Sequence, residues 1–321
     1  MKGYDKKFLH KLLYDMMLIR NFEEKAGQMY GLRKIGGFCH LYNGQEAIAV
    51  GSAAALDLSK DYVLTGYRDH GHAIACGMDL KVVMAELFGK ITGCSRGKGG
   101  SMHLFSAEKH FLGGNGIVGA QIPVATGAAF AQAYRGDKGV TLVFFGDGAI
   151  HQGAFHESLN LAKIWKLPIV YVCENNQWGM GTNFMKVSSV DDFSLMGSAY
   201  GIPGRQIDGM NVLTVFEEIS KAVKDARENG LPTFLEAKTY RYKGHSMSDP
   251  QKYRTKEEVE EYKKQDPILI LKALMEKDKM ITAEEYGKYE AEIKAVVEES
   301  VAFSEESEEP ALHVLYEDVF A

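Results

Sequence analysis

Asp147 and Asn176 are the side chains of this 321-residue chain best placed by their neighbours to do chemistry. Gly146-Asp147-Gly148-Ala149 closes an apolar, β-type run (140–145), and Glu174-Asn175-Asn176 closes a second (167–173). Residues 151–166 between them read as a helix. The two motifs therefore stand on neighbouring strand ends of a strand–helix–strand crossover, the unit of a parallel sheet covered by helices. Ligands of such sheets bind outside the carboxyl ends of the strands. There Asp147 offers a carboxylate and Asn176 an amide carbonyl, hard donors suited to Mg2+, which keeps few protein ligands and shares its shell with phosphate and water. Gly148 and Ala149 stand where the helix is expected to begin, so their N–H groups and the helix dipole favour phosphate oxygens. These residues describe a metal plus a diphosphate.

Other elements must carry that site. Apolar positions at Leu12, Leu13, Met16, Met17, Ile19 and Phe22 recur at the helical interval and predict a helix over 8–30. A second helix is expected over 47–56, begun by Gly44-Gln45-Glu46, and a third over 79–90. Residues 61–65 read as a short strand, followed by the loop Gly66-Tyr67-Arg68-Asp69-His70-Gly71. The glycine-rich segment 93–119 has no periodicity, and a stretch that long without secondary structure is usually functional. Residues 117–134 are the most apolar, but Gln121, Pro123 and Gln132 interrupt them, so a buried, closely packed helix is expected rather than a membrane span. A helix over 214–229, a strand over 233–240 and a polar loop over 243–253 follow, the loop expected to be mobile because it has little to bury. Thr255-Lys-Glu-Glu258 and Thr282-Ala-Glu-Glu285 match helix capping boxes, and Asp266-Pro267 fits an N-cap followed by proline. The expected fold class is α/β, a parallel sheet with helices on both faces. A single domain spans 1–321, with an N-terminal helical arm (1–36) and a C-terminal helical extension (255–321).

Composition narrows the partners. A net charge of −6, from 37 basic and 43 acidic residues, argues against a nucleic-acid surface. Cys39, Cys76, Cys94 and Cys173 lack paired spacing, which points to reduced thiols rather than a zinc site or disulfide frame. The chain leads from Met1 straight into a helix pattern, with neither a signal nor a transit segment, so a cytoplasmic setting is expected. Gly114-Asn-Gly116-Ile-Val-Gly119 satisfies the dinucleotide GxGxxG pattern, but no strongly apolar strand precedes it and no well-placed acidic ribose partner follows. Gly93-Cys-Ser-Arg-Gly97-Lys98 is one residue short of a phosphate loop and lacks Ser or Thr after the lysine. His151 and His156 do not form the HExxH order of zinc hydrolases.

The Gly-Asp-Gly to Asn-Asn pair resembles the thiamine diphosphate motif. Around it, residues 37–47, Gly66-Tyr-Arg-Asp-His-Gly71, 97–103, 114–121 and 240–250 follow one another as in a single family. Along nearly its full length the chain resembles the α subunits of the E1 component of pyruvate dehydrogenase complexes.

The resemblance implies a thiamine diphosphate-binding fold and a set of roles. Asp147, the Asn176 side chain and the Trp178 backbone carbonyl would bind Mg2+; family members often carry tyrosine where Trp178 stands, a change that a backbone ligand tolerates. Gly148 and Ala149 would donate backbone N–H groups to the diphosphate, and Tyr67, Arg68 and Arg241 would hold its oxygens. Gly116 and Val118 would contact the aminopyrimidine, with the Val118 side chain holding the cofactor bent. His245, beside the phosphates and the reacting carbon, and His40 would orient pyruvate or protonate the lipoyl sulfur. Read as residues alone, Arg68 and Arg241 also suit surface ion pairs, Tyr67 suits packing, and His40, His70, His72 and His103 suit a satisfied core.

The implied reaction is oxidative decarboxylation of pyruvate with reductive acetylation of a lipoyl group on the E2 chain. The glutamate that serves the pyrimidine ring lies on the β subunit in this family. An α2β2 assembly with an E1 β subunit, docking the E2 lipoyl domain and core, is therefore expected, with no activity from this chain alone. Ser246 matches the first regulatory phosphorylation position of mitochondrial members, but the second, near Lys252 and Tyr253, has no serine, which favours a bacterial chain. Acetoin or a branched-chain 2-oxo acid as substrate, a non-catalytic regulatory subunit, and a nicotinamide oxidoreductase resting on GxGxxG are the competing readings.

Overall fold

The computed structural model describes residues 3–319; Met1 and Lys2 of the expected arm, with Phe320 and Ala321 of the expected extension, lie outside the described residues. The first helix, α1 (Lys6–Gly31), buries a continuous apolar stripe from Leu9 through Met16, Ile19 and Phe22 to Ala26. It packs on α2 (Glu46–Ala54) and α3 (His70–Ala75), between which runs β1 (Tyr62–Gly66). Next come α4 (Leu80–Leu87), β2 (Phe111–Asn115), α5 (Gln121–Arg135), β3 (Thr141–Gly146), α6 (Gly153–Trp165) and β4 (Ile169–Asn175). A two-residue hairpin, β5 (Trp178–Gly179) with β6 (Thr182–Asn183), leads to β7 (Gly204–Asp208), α7 (Val212–Asn229) and β8 (Thr233–Lys238). Three helices close the chain: α8 (Lys256–Lys263), α9 (Pro267–Lys277) and α10 (Ala283–Glu306).

Six strands form one parallel sheet in the order β2-β1-β3-β4-β8-β7. Side chains alternate across it, as the strand period demands. Leu142 and Phe144 of β3 enter a core shared with α1, α2, α4, α7 and α10, while Val143 and Phe145 enter a second core with α5 and α6. The α/β expectation, a parallel sheet covered on both faces, therefore holds.

Two strands escape the sequence pattern. Phe111-Leu-Gly-Gly-Asn115 carries few side chains to show a period, yet β1 supplies its ladder, pairing Leu64 with Gly113 and Thr65 with Gly114. Gly204-Arg-Gln-Ile-Asp208 lies at the other edge, paired on one side, and is polar for that reason. The strand at 111–115 also removes one ground for setting the dinucleotide pattern aside, because a strand does run into Gly114. Of 117–134, only the residues from Gln121 onward are helical, and one face of that helix alone is covered. On α5, Ile122, Ala125 and Ala129 are buried, whereas Val124, Phe130 and Tyr134 face outward beside Ile164 and Trp165 of α6. A helix with this second apolar face is half-covered, not buried.

The expected caps are partly realised. Thr282 and Glu285 form the reciprocal box, and Asp266 accepts from Ile268 and Leu269 N–H. Thr255 caps α8, but the Glu258 carboxylate turns away to receive the Tyr240 hydroxyl and the Trp178 indole N–H. The loop 243–253 is better anchored than its composition suggests. Asp249 accepts from His245 N–H and the Tyr253 hydroxyl, and Arg254 donates to the carbonyls of Arg241, Tyr242 and Lys243. No described helix is long and apolar enough to cross a membrane.

Candidate functional site

The chain runs from β1 outward to β2, then returns over β1 to start β3 on its other side. This is the topological switch point where open α/β sheets bind ligands. Tyr67 and Arg68 leave β1 there, and Asp147 leaves β3. Asn176 follows β4, and Arg241 follows β8. A cavity of about 360 Å3 lies between these strand ends, walled by Tyr67, Arg68, Val118, Asp147, Gly148, Ala149, Asn176, Trp178 and Arg241 together with Gln45 and Glu174. An adjoining cavity of about 650 Å3 shares Tyr67, Val118 and Met180 with the first and is lined further by His40, Gly116 and His245. The structure thus brings the predicted site residues together in one two-chambered cleft.

Its electrostatics are those of a site built for opposite charges. Arg68 and Arg241 are 9% and 1% exposed, and neither has an ion-pair partner among the described residues. The surface ion-pair reading of these two arginines therefore fails. Burial, then the nearby Arg241, lowers the Arg68 guanidinium to about 10. Arg68 donates to the carbonyls of Leu41 (2.6 Å) and His245 (2.7 Å), so only part of its fork remains for a ligand. Arg241 Nη1 donates to Trp178 O at 3.0 Å and to Asn176 Oδ1 at 3.5 Å. Those are two of the three oxygens expected to hold a metal, and here they converge on one positive group. The third belongs to Asp147, 4% exposed, whose carboxyl is pushed up to about 6 by burial. A carboxylate so buried calls for a cation.

Backbone geometry sets these groups. Gln177 at φ 78° and Met180 at φ 53° turn the chain back after β4; the Trp178 N–H reaches Asn176 Oδ1 at 3.4 Å, and the Trp178 carbonyl shares Arg241 Nη1 with that oxygen. The Trp178 indole is accommodated by Glu258 (3.1 Å) and packs on the Tyr253 ring. One expectation needs correction. Gly148 and Ala149 lie in a 3-10 turn (Asp147–Ala149), and α6 begins only at Gly153, because Gln152 is extended (ψ 138°). The helix dipole thus starts beyond the two residues assigned to it, and what they offer is the backbone of a tight turn on the cavity wall.

His40, Tyr67 and His245 cluster at the second chamber. The ring centroids of His40 and His245 are 5.2 Å apart, and Tyr67 lies 4.6 Å from His40. Burial, then Arg68, pushes His40 down to about 2 and His245 to about 4, so both rings are neutral. Each keeps a buried Nδ1 without a hydrogen-bond partner. His70 and His103 are satisfied instead: His70 pairs with Glu23 at 2.9 Å in the core, and His103 meets the Gly114 carbonyl, while His72 Nε2 lies 3.2 Å from Glu174 and its Nδ1 is buried without a partner. The sequence reading missed Gln45, taken only as a helix start, and Glu174, which lies inside the quoted motif and receives the Tyr42 hydroxyl. The phosphate-loop look-alike is explained. Amides of Ser95, Gly97, Gly99 and Gly100 all donate to the buried Glu86 carboxylate, so an internal anion already fills that nest.

The switch-point cleft thus sets carboxylate and amide oxygens beside guanidinium groups that have no ion-pair partner among the described residues, a lining suited to a charged ligand. A family model described as "Dehydrogenase E1 component" matches residues 14–313, and the chain belongs to that family. It is 51% identical over 310 residues to the pyruvate dehydrogenase E1 component subunit alpha of Rhizobium meliloti, covering 96% of this chain and 89% of the relative. The protein of the same name from Rickettsia felis is 47% identical (97% and 95% covered), as is that from Porphyra purpurea (97% and 93%).

Proposed function

We propose that this chain is the α subunit of a pyruvate dehydrogenase E1 component, binding thiamine diphosphate and Mg2+ and acting with a β subunit on pyruvate and the lipoyl group of an E2 chain. The observation that carries this reading is the pair of buried arginines that have no carboxylate partner among the described residues and line one cleft with Asp147 and Asn176. Buried charges are tolerated when paired, so such a pair calls for an anion. The donor set fits the metal: a carboxylate (Asp147), an amide oxygen (Asn176) and a backbone carbonyl (Trp178), all hard oxygens. Tyr67, Arg68, Arg241 and the turn at Gly148 and Ala149 would hold the diphosphate. Gly116 and Val118 would face the pyrimidine end from the second chamber, where Val118 is 42% exposed.

When bound, thiamine diphosphate supplies the nucleophilic carbon and electron sink that no amino-acid side chain offers. This chain's residues bind, orient and handle protons. His40 and His245 present neutral rings whose orphan Nδ1 atoms can hydrogen-bond a pyruvate carboxylate or a lipoyl sulfur. Anionic groups beside them would raise their proton affinity toward neutrality, into the range useful for general acid work. The names of the relatives, each a subunit alpha, support a companion chain. Four unpaired thiols support a reducing cytosol.

Calorimetry on the chain co-purified with its partner tests the reading. Thiamine diphosphate with Mg2+ should bind and NAD should not, and Asp147→Ala should weaken cofactor binding at least about 100-fold, in line with loss of a metal ligand. Turnover should favour pyruvate over branched-chain 2-oxo acids and acetoin. NAD binding, or undiminished cofactor binding in Asp147→Ala, would reject it.

A further inference from the structure

The sequence places Gln45 at the start of α2 and gives it no chemistry. In the fold its side chain is fully buried, yet it forms part of the wall shared by Asp147, Asn176 and Arg241. Gln45 Oε1 accepts from Asn176 Nδ2 at 3.0 Å. Gln45 Nε2 is buried without any hydrogen-bond partner.

An amide presents a cation with either an oxygen or an NH2 group, and only the oxygen binds. Two donors already face Asn176 Oδ1, Arg241 Nη1 at 3.5 Å and Trp178 N at 3.4 Å. The acceptor on Gln45 takes the other end of the amide, so reversing Asn176 would set oxygen against oxygen and NH2 against two donors. The segment carrying Gln45 is itself fixed. Gly44 adopts φ +98°, where any Cβ would collide with the Tyr240 carbonyl. Both oxygens of Glu46 accept from Gly44 N–H (3.1 and 3.0 Å), and Arg20 holds that carboxylate through two further bonds (2.5 and 2.9 Å). The remaining Nε2–H2 group, in a cavity that also holds two guanidinium groups, lacks an acceptor. A buried donor left that way forfeits its hydration without compensation, a cost that an acceptor on a bound ligand would relieve.

We infer that Gln45 is a positioning residue of the cation and phosphate site: its Oε1 locks the Asn176 amide with the carbonyl toward the cation, and its Nε2 donates to a diphosphate oxygen. The inference rests on the thiamine diphosphate and Mg2+ reading above. Outer partners of metal ligands act through orientation, and removing one typically weakens metal binding about 10- to 100-fold.

Two substitutions separate the two roles. Gln45→Met removes acceptor and donor at similar volume. Gln45→Glu keeps an acceptor for Asn176 Nδ2 but turns an anionic oxygen toward the phosphates. The cofactor-stripped complex with its partner subunit is titrated calorimetrically with Mg2+ at saturating thiamine diphosphate, and with thiamine diphosphate at saturating Mg2+. In Gln45→Met the half-saturating Mg2+ concentration should rise about 10- to 100-fold while the melting temperature of the cofactor-free complex holds. In Gln45→Glu the Mg2+ response should stay near that of the parent, whereas thiamine diphosphate should bind roughly tenfold or more weakly. Parent-like affinities in both variants overturn the inference, as does an equal loss of both ligands in both variants with a lowered melting temperature. If Gln45→Met does not assemble, Gln45→Glu decides: unchanged thiamine diphosphate affinity overturns the donor role. Asp147→Ala serves as the control. If it binds cofactor as the parent does, the cofactor reading itself falls; if it loses binding while Gln45→Met does not, only Gln45 has been misassigned.

Discussion

At the scale of single residues, the two histidines of the second chamber make the cofactor-free protein sensitive to acid. An unfolded histidine takes up its proton near pH 6.5, whereas folded His245 resists until about 4 and His40 until about 2. Between those values the unfolded state binds more protons, so stability falls as pH falls below about 6.5. His245→Gln removes one of the two groups and should flatten the decline of melting temperature from pH 6.5 to pH 4.5. An unchanged slope would mean that His245 titrates normally in the folded chain. Gly114 sits equally close to its surroundings, since a Cβ there would collide with the Asp69 carboxylate. That carboxylate holds the Leu104 N–H at 3.1 Å and cannot step aside freely. Gly114→Ala should lower stability by about 1–3 kcal/mol in urea unfolding, the usual range for overpacking.

At the scale of elements, α4 and the glycine-rich segment behave as one unit. Glu86, in the last turn of α4, is fully buried, and four amides of 95–100 donate to its carboxylate at 2.7–3.0 Å. This anchor lets a segment with no apolar period hold one shape. It also positions Ser101, whose hydroxyl meets His70 at 2.8 Å and accepts from the backbone N–H of His40 at 3.1 Å. Glu86→Gln leaves shape and volume but replaces one acceptor oxygen with a donor. Stability should drop by about 1–3 kcal/mol, and amide exchange over 95–100 should accelerate well beyond that of β3. Uniform protection across both regions would show that the loop is held by something else.

At the scale of the whole molecule, the outer face of the second core matters most. Val124, Phe130 and Tyr134 of α5 and Ile164 and Trp165 of α6 are each 44% exposed or more, with Phe130 packed on both Tyr134 and Trp165. Exposed apolar side chains grouped in this way suit an interaction surface, and under the proposed function the expected partner is the companion subunit. Trp165→Glu combined with Phe130→Lys should abolish the heteromeric species in size-exclusion chromatography while leaving helicity unchanged. Persistence of the complex would place the interface elsewhere. The chain purified alone should show no pyruvate turnover, and full activity without a partner would contradict the division of the site between two chains.

The strand-end placement of Asp147 and Asn176 was legible because it is local: each follows directly on a strand whose unbroken apolar run announces its burial on both sides. The long amphipathic helices were legible for the same reason, since α1 and α7 write their buried stripes at every third or fourth residue. Edge strands β2 and β7 were not, because a strand of glycines or polar residues exists only through the neighbour that pairs with it. The sequence by itself determined which oxygens and cations the chain can offer, since strand-end position follows from short-range pattern. Only the tertiary structure decided that Arg68 and Arg241 are buried with no carboxylate partner among the described residues, that the nest at 95–100 is filled by Glu86, and that Gln45 Oε1 accepts from the Asn176 amide. Those outcomes depend on contacts between residues far apart in the chain, such as the 131 positions between Gln45 and Asn176, and no local period encodes a partner at that distance.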